Sequence, residues 1–149
     1  RIGMGQMDYA FALAKRILRI GIGVGALSGA LMILTSQLVI RLFHFTDLGQ
    51  HYALLIVAVY GIFMPLKIYN GLNIVGTLRC GGDTKFAMWL EISSVWLIGV
   101  PIVFLGALYL GLPIYLVVLM AQAEEIIKGV ICRYRFLSKK WLNNLVHDI

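Results

Sequence analysis

The feature that most constrains this sequence is a series of long uncharged runs. Ile20 to Ile40 gives 21 consecutive residues without Asp, Glu, Lys or Arg, and Leu48 to Leu66 gives 19 more. About 20 helical residues, rising about 1.5 Å each, cross the roughly 30 Å hydrocarbon core of a bilayer. Only 13% of all residues are charged, whereas soluble domains are about one quarter charged. The runs therefore predict membrane-spanning helices and exclude an ordinary soluble domain.

The runs divide the chain into four predicted spans, at about residues 20–40, 51–78, 86–108 and 113–132. The 38 residues from Phe86 to Ala123 contain one charge, Glu91, and are too long for a single span. Gly111 and Pro113 mark the turn between the last two spans, because Gly ends a helix readily and Pro begins one without losing a needed donor. We therefore predict an all-α, polytopic membrane protein with four transmembrane helices and a tail at 133–149.

Basic residues are distributed unevenly between the two sides of such a protein. The N-terminal flank, the loop between the second and third spans, and the tail share one side, which carries ten of the 13 Lys and Arg residues: Arg1, Lys15, Arg16, Arg19, Arg79, Lys85, Arg133, Arg135, Lys139 and Lys140. The loops on the opposite side carry Arg41 and Asp47. Because cytoplasmic loops are rich in Lys and Arg, both ends of the segment are predicted to be cytoplasmic. The net charge of +6 then reflects topology, and nucleic-acid binding loses its main support.

Two further patterns concern packing and the tail. Gly21, Gly25 and Gly29 share one helix face, which predicts the close approach of another helix. Leu137, Trp141 and Leu145 recur every four residues beside a basic cluster, which fits a short amphipathic helix at the inner membrane interface. A solvated tail explains the same residues equally well.

Lys67 is the most informative charge within the spans. It lies twelve residues before Arg79, about 18 Å along the helix, and therefore near the middle of the membrane. Because a charge at that depth is costly, we predict that Lys67 pairs with Glu91 or with a carboxylate of the fourth helix. It either lines a substrate or ion pathway, or forms a structural ion pair or snorkels to the interface.

Other polar residues complete the set of pathway candidates. Glu124 and Lys128 have the spacing of a local helix pair, whereas Glu125 has no such partner in its own helix and is either a cation-carrying carboxylate or simply solvated. The second helix also carries three polar side chains that either contact a solute or join helices. The complete candidate set is Lys67, Tyr69, Asn70, Asn73, Glu91, Glu124 and Glu125.

The turn after the second span is the sharpest local signal. Gly81 or Gly82 is expected to adopt a left-handed conformation, and Asp83 or Thr84 to cap the next helix. Together with Arg79, these residues predict a structural cytoplasmic turn. The sequence contains no catalytic triad pattern, HExxH motif, P-loop or metal-ligand spacing, so we expect neither an enzyme nor a metal site.

Three stretches resemble the C-terminal part of multidrug and toxic compound extrusion (MATE) transporters, and the resemblance extends over nearly the whole chain. They are Leu78-Arg79-Cys80-Gly81-Gly82-Asp83-Thr84-Lys85-Phe86, Val95-Trp96-Leu97-Ile98-Gly99-Val100-Pro101 and Glu124-Glu125-Ile126-Ile127-Lys128. The resemblance implies helices nine to twelve of a twelve-helix, two-lobed bacterial transporter in the cytoplasmic membrane. Cys80 departs from the small residue common in that string. The predicted helix at 51–78 also lacks the Asp or Glu through which some members bind a cation.

The function implied by this resemblance is antiport coupled to Na⁺ or H⁺, without another cofactor, that exports amphipathic or cationic organic compounds. Its expected partners are membrane lipids, the remaining helices of the transporter and small organic cations. Two alternatives stay open. One is a lipid-linked oligosaccharide flippase, which would need several basic residues in its cavity, where Lys67 alone qualifies. The other is a four-helix membrane scaffold or accessory subunit without transport activity.

Overall fold

The structure is a computed structural model that describes residues 7–43 and 46–142, and all regular structure in these residues is helical. The described residues form four long helices: α1 (Met7–Arg41), α2 (Asp47–Arg79), α3 (Thr84–Tyr109) and α4 (Ile114–Leu137). The connections between them are short, so successive helices run in opposite directions. The prediction of an all-α fold is confirmed.

Three of the helices are long and apolar enough to cross a membrane: α1 with 35 residues, α2 with 33 and α3 with 26. The 24-residue α4 is also long enough, but Glu124, Glu125 and Lys128 make it more polar than the others, so its crossing stays a prediction. Helix α1 begins well before the predicted span. At 1.5 Å per residue it measures about 52 Å, so it extends beyond a hydrocarbon core of roughly 30 Å.

Two helices change their winding along their length, which the sequence did not predict. The last eight residues of α2, Leu72–Arg79, are π-helical, as are Val95–Gly99 and Leu105–Tyr109 within α3. A π-helical turn hydrogen-bonds to the fifth residue along instead of the fourth. Side chains beyond such a segment therefore point in directions that an unbroken α-helical count does not give.

Helices α1 and α2 approach closely along the predicted glycine face. Gly21, Gly25 and Gly29 are all buried. A Cβ atom on Gly25 would lie 2.6 Å from the Cα of Pro65, and one on Gly29 would overlap the carbonyl oxygen of Gly61. Because any side chain at Gly25 or Gly29 would meet the backbone of α2, the predicted close helix contact is confirmed.

The hydrophobic core lies at one end of the bundle, where the start of α1, the end of α2, the start of α3 and the end of α4 meet. Its buried members come from all four helices and the tail: Leu18, Ile74, Leu78, Ala87, Leu90, Cys132, Phe136 and Trp141. The basic regions gather at the same end, since Lys139 pairs with Asp8 at 3.1 Å. The three regions that the topology prediction assigned to one side thus lie together.

The connection between α3 and α4 follows the predicted turn. Helix α3 ends at Tyr109, Gly111 has a φ of +59°, and α4 begins at Ile114 directly after Pro113. The positive φ explains the glycine, because other residues rarely adopt it. The predicted division of the long uncharged run is therefore confirmed at these residues.

The tail differs from the predicted amphipathic stripe. Helix α4 continues to Leu137, which is 55% exposed, whereas Trp141 is only 2% exposed. The Trp141 ring stacks on Phe136 with 5.6 Å between centroids, and its Nε1 donates a hydrogen bond to the Phe136 carbonyl oxygen. Trp141 therefore packs inward, away from the face of Leu137. Leu145, the third member of the stripe, lies outside the described residues.

Candidate functional site

Lys67 of α2 pairs with Glu125 of α4. Its Nζ lies 3.2 Å from Glu125 Oε1. Asn70, almost one turn further along α2, donates from Nδ2 to Glu125 Oε2 at 2.8 Å and to the Glu125 carbonyl oxygen at 2.9 Å. Of the two partners that the sequence suggested for Lys67, the structure selects the carboxylate of the fourth helix. Asn70 joins the helices in the same contact.

Glu124 and Lys128 extend this pair into a four-charge cluster. Lys128 Nζ lies 2.7 Å from Glu124 Oε1, which confirms the predicted local pair, and 3.7 Å from Glu125 Oε1. Our expectation that Glu125 has no partner in its own helix is therefore wrong, because a carboxylate three residues before Lys128 is also within its reach. We call Lys67, Glu124, Glu125 and Lys128, with Asn70, the charge cluster.

The charge cluster is balanced and largely shielded. Its two positive and two negative side chains are between 12% and 28% exposed. It lies where α2, α3 and α4 meet: a Cβ on Gly99 of α3 would come within 2.8 Å of Glu124 Oε2. Glycine at position 99 thus leaves room for the carboxylate beside α3. Sequence reasoning missed Gly99, since nothing in the sequence shows which helix faces Glu124.

Glu91 does not belong to the charge cluster. It pairs instead with Arg79 at the end of α2, and both side chains are 41% exposed. The suggestion that Glu91 partners Lys67 is therefore wrong. Glu91 lies near the start of α3 and Arg79 at the end of α2, so the two face each other across the turn that joins these helices.

Asn73 and Tyr69 occupy separate positions on α2. Asn73 is completely buried, and its amide atoms lack a hydrogen-bond partner of good geometry among the described residues, although Tyr69 lies near it. Tyr69 packs against the hydrophobic core and borders the space between α1 and α4. Neither residue contacts the charge cluster through a hydrogen bond that the structure describes.

The turn between α2 and α3 is held by a contact to α4. Gly82 has a φ of +92°, as predicted for one of the two glycines, while Gly81 lies against Trp141. Asp83 Oδ2 accepts a hydrogen bond from Arg135 Nε at 2.6 Å, and the Arg135 guanidinium lies 4.6 Å from the centre of the Phe86 ring. This hydrogen bond raises the pKa of Arg135 above its ordinary value.

Capping of α3 differs from the prediction. Asp83 occupies the N-cap position, but its side chain makes no capping hydrogen bond. Its carboxylate is directed to Arg135 instead, and its backbone carbonyl oxygen accepts from the Ala87 amide at 3.1 Å. Thr84 is the first residue of α3. Through the Asp83–Arg135 pair, the turn fixes the start of α3 against α4. Sequence reasoning did not assign Arg135 to this turn.

Within residues 7–43 and 46–142, no three His, Cys, Asp or Glu side chains group as they would around a metal ion. Cys80 and Cys132 are free thiols, the first exposed and the second buried. The charge cluster can exchange its ionic partners, because a carboxylate that binds an ammonium group can also bind another cation or a proton.

Comparison with known proteins supports a membrane protein related to transporters. The chain is 29% identical over 141 residues to a Bacillus subtilis (strain 168) protein named Uncharacterized transporter YisQ. The match covers 95% of this chain and 31% of that protein, so the chain spans about a third of the length of the curated relative that it matches. No family model and no solved structure matches the chain.

Proposed function

We propose that this chain is part of a cation-coupled antiporter of the MATE type that exports amphipathic or cationic organic compounds by alternating access. Three observations support the proposal: the similarity to a protein named as a transporter, the resemblance of the turn at residues 78–86, and the apolar helices. In this proposal the chain supplies helices nine to twelve, and the protein moves compounds across a bacterial cytoplasmic membrane without changing them chemically.

The observation that carries the proposed cation coupling is the ion pair of Lys67 and Glu125. Residue 67 lies near the middle of α2, where an unpaired charge would be costly. If a cation or proton binds Glu125, the carboxylate is neutralised and Lys67 loses its partner. Lys67 and the incoming cation therefore compete for one site. This competition gives a physical basis for coupling, because each occupant stabilises a different arrangement of α2 against α4.

The proposed orientation follows from the clustering of basic residues. The turn at 80–83, the start of α1 and the tail lie at the same end of the bundle, and we assign that end to the cytoplasm by the positive-inside rule. The first lobe of the transporter and its remaining helices would complete the cavity. Small organic cations are the proposed cargo, and Na⁺ or H⁺ is the proposed coupling ion.

The test is efflux of a fluorescent cationic dye from cells that express the full-length gene, with Na⁺ and pH gradients varied separately. We expect Lys67→Met and Glu125→Gln to abolish efflux, and Lys139→Met, which alters the exposed pair with Asp8, to retain it. Unchanged dye efflux and ion dependence in both cluster variants would remove the charge cluster from the pathway.

A charge exchange separates transport from folding. The double variant Lys67→Glu with Glu125→Lys keeps an ion pair between α2 and α4, so we expect wild-type amounts in the membrane. The exchange moves the carboxylate from α4 to α2, so we expect no efflux, as in the single variants. Full efflux in the exchanged variant would assign the pair to structure alone.

The flippase and scaffold alternatives receive less support from this geometry. A lipid-linked phosphate would need free positive charge in the cavity, whereas Lys67 already faces Glu125 and the charge cluster as a whole is neutral. A scaffold without transport activity is an outcome of the dye experiment, since cells that express the full-length gene would then retain dye under every gradient.

A further inference from the structure

A groove runs along the outside of the bundle between α1 and α4, with α2 as its floor. Its volume is about 400 Å³, which is within the range of roughly 300–1,000 Å³ that is usual for small-molecule sites. The walls of its apolar part are formed by Ile22, Pro65, Leu66, Ile126, Gly129 and Val130. Ile126 is 49% and Val130 65% exposed, so the groove is open along its side.

The end of the groove toward the basic end of the bundle is positively charged. An adjoining cavity of about 350 Å³ is bounded by Lys15 and Arg19 of α1 and shares Tyr69 and Arg133 with the groove. Among the described residues, no carboxylate pairs with any of these three basic side chains. Arg135, only two residues beyond Arg133, is by contrast paired with Asp83.

The apolar and basic parts are separated by the same distance on both walls. On α1, Lys15 precedes Ile22 by seven residues, and on the antiparallel α4, Arg133 follows Ile126 by seven. Each interval measures about 10 Å of helix. The two walls therefore form one continuous site. The apolar part of the groove, here called the apolar slot, leads into the cavity lined by Lys15, Arg19 and Arg133, here called the basic opening. The basic opening lies at the end of the bundle where the membrane surface is expected.

We propose that this groove binds one anionic phospholipid, with its phosphate between Lys15, Arg19 and Arg133 and an acyl chain along the apolar slot. The charge complementarity selects this occupant. A zwitterionic lipid would bring its own cation to the basic opening, and a further apolar helix would leave three positive charges unpaired. Basic pockets between transmembrane helices at the cytoplasmic side have the chemistry that binds anionic lipid head groups. This site is distinct from the charge cluster and does not depend on transport activity.

The test is native mass spectrometry of the full-length protein in detergent micelles, titrated with phosphatidylglycerol or phosphatidylcholine. We expect the first phosphatidylglycerol to bind more tightly than phosphatidylcholine. Arg133→Gln should weaken its binding about fivefold, the usual effect of one basic residue at a membrane surface. Lys15→Gln, on the opposite wall, should act similarly, and Val130→Trp, which fills the slot, should weaken the binding of the same lipid.

Arg16→Gln is the matched control, because it removes the same charge beside Lys15 from a residue outside the groove; it should change the affinity less than twofold. Equal affinities for the two lipids, or equal effects of Arg16→Gln and Arg133→Gln, would overturn the proposal. Glycerol 3-phosphate, which carries the phosphate without acyl chains, should not displace the lipid. If it does, the site binds a soluble anion and the lipid assignment is wrong.

Discussion

Replacing Gly29 with alanine should separate α1 from α2 and destabilise the bundle. The new Cβ atom would overlap the carbonyl oxygen of Gly61, a backbone atom that cannot move aside as a flexible side chain can. Adding a methyl group to a well-packed contact typically costs about 1–3 kcal/mol. The same helix offers a matched control, because a Cβ on Gly23 would meet nothing within 4 Å.

The magnitude follows from comparing these two alanines. Gly23→Ala should be neutral or stabilise α1 by up to about 1 kcal/mol, since alanine favours the helix over glycine. Gly29→Ala gains the same helix preference but loses the contact. The two variants should therefore differ by about 1–3 kcal/mol, which changes the ratio of folded to unfolded protein about 5- to 150-fold.

The assay is unfolding of the purified protein by sodium dodecyl sulfate in mixed micelles, followed by tryptophan fluorescence. Wild type, Gly23→Ala and Gly29→Ala are compared at equal micelle concentration, and the midpoints give the order of stability. We expect Gly29→Ala to unfold at the lowest detergent fraction. If Gly29→Ala unfolds together with Gly23→Ala, the helices do not approach at Gly29 as closely as the structure describes.

Three further predictions use the same unfolding assay. Trp141→Ala should destabilise the protein by about 3–5 kcal/mol, because it empties a buried ring site, whereas Trp96→Ala, at a 67% exposed position, should stay within about 0.5 kcal/mol; equal losses would contradict the inward packing of Trp141. Gly82→Ala should cost about 1–2 kcal/mol, because φ is +92° there, and an unchanged midpoint would argue against that conformation. Asp83→Asn should cost about 1.5–3 kcal/mol by removing the charged acceptor of Arg135, and a wild-type midpoint would show that the contact does not stabilise the protein.

The sequence predicted those features that depend on composition and local spacing. Long uncharged runs located α1, α2 and α3, since few other structures accommodate so many consecutive apolar residues. Gly82 was one of two candidates for a left-handed turn residue, and the spacing of Gly21, Gly25 and Gly29 predicted a helix contact. In each case the sequence signal lies within one helix or one turn, so neighbouring residues are enough to recognise it.

Contacts between helices were predicted less well. The sequence offered Glu91 and the carboxylates of the fourth helix as partners of Lys67, and only the structure distinguishes them. The reason is that Lys67 and Glu125 lie 58 positions apart, so their contact depends on how α2 packs against α4 and not on local spacing. Asp83 shows the same difficulty: a residue with the usual chemistry of a helix cap instead binds Arg135, which lies 52 positions away.

The position of the hydrophobic core at one end of the bundle has a mechanical consequence. The best-shielded apolar contacts join the four helices near the turn at residues 80–83, while many apolar side chains elsewhere remain exposed. The four helices are therefore held together most firmly at this end, and α1 and α2 are also held along their glycine contact. We expect any rearrangement among the helices to begin at the opposite end, as a separation of the α1–α2 pair from the other two helices, while the core end keeps its shape.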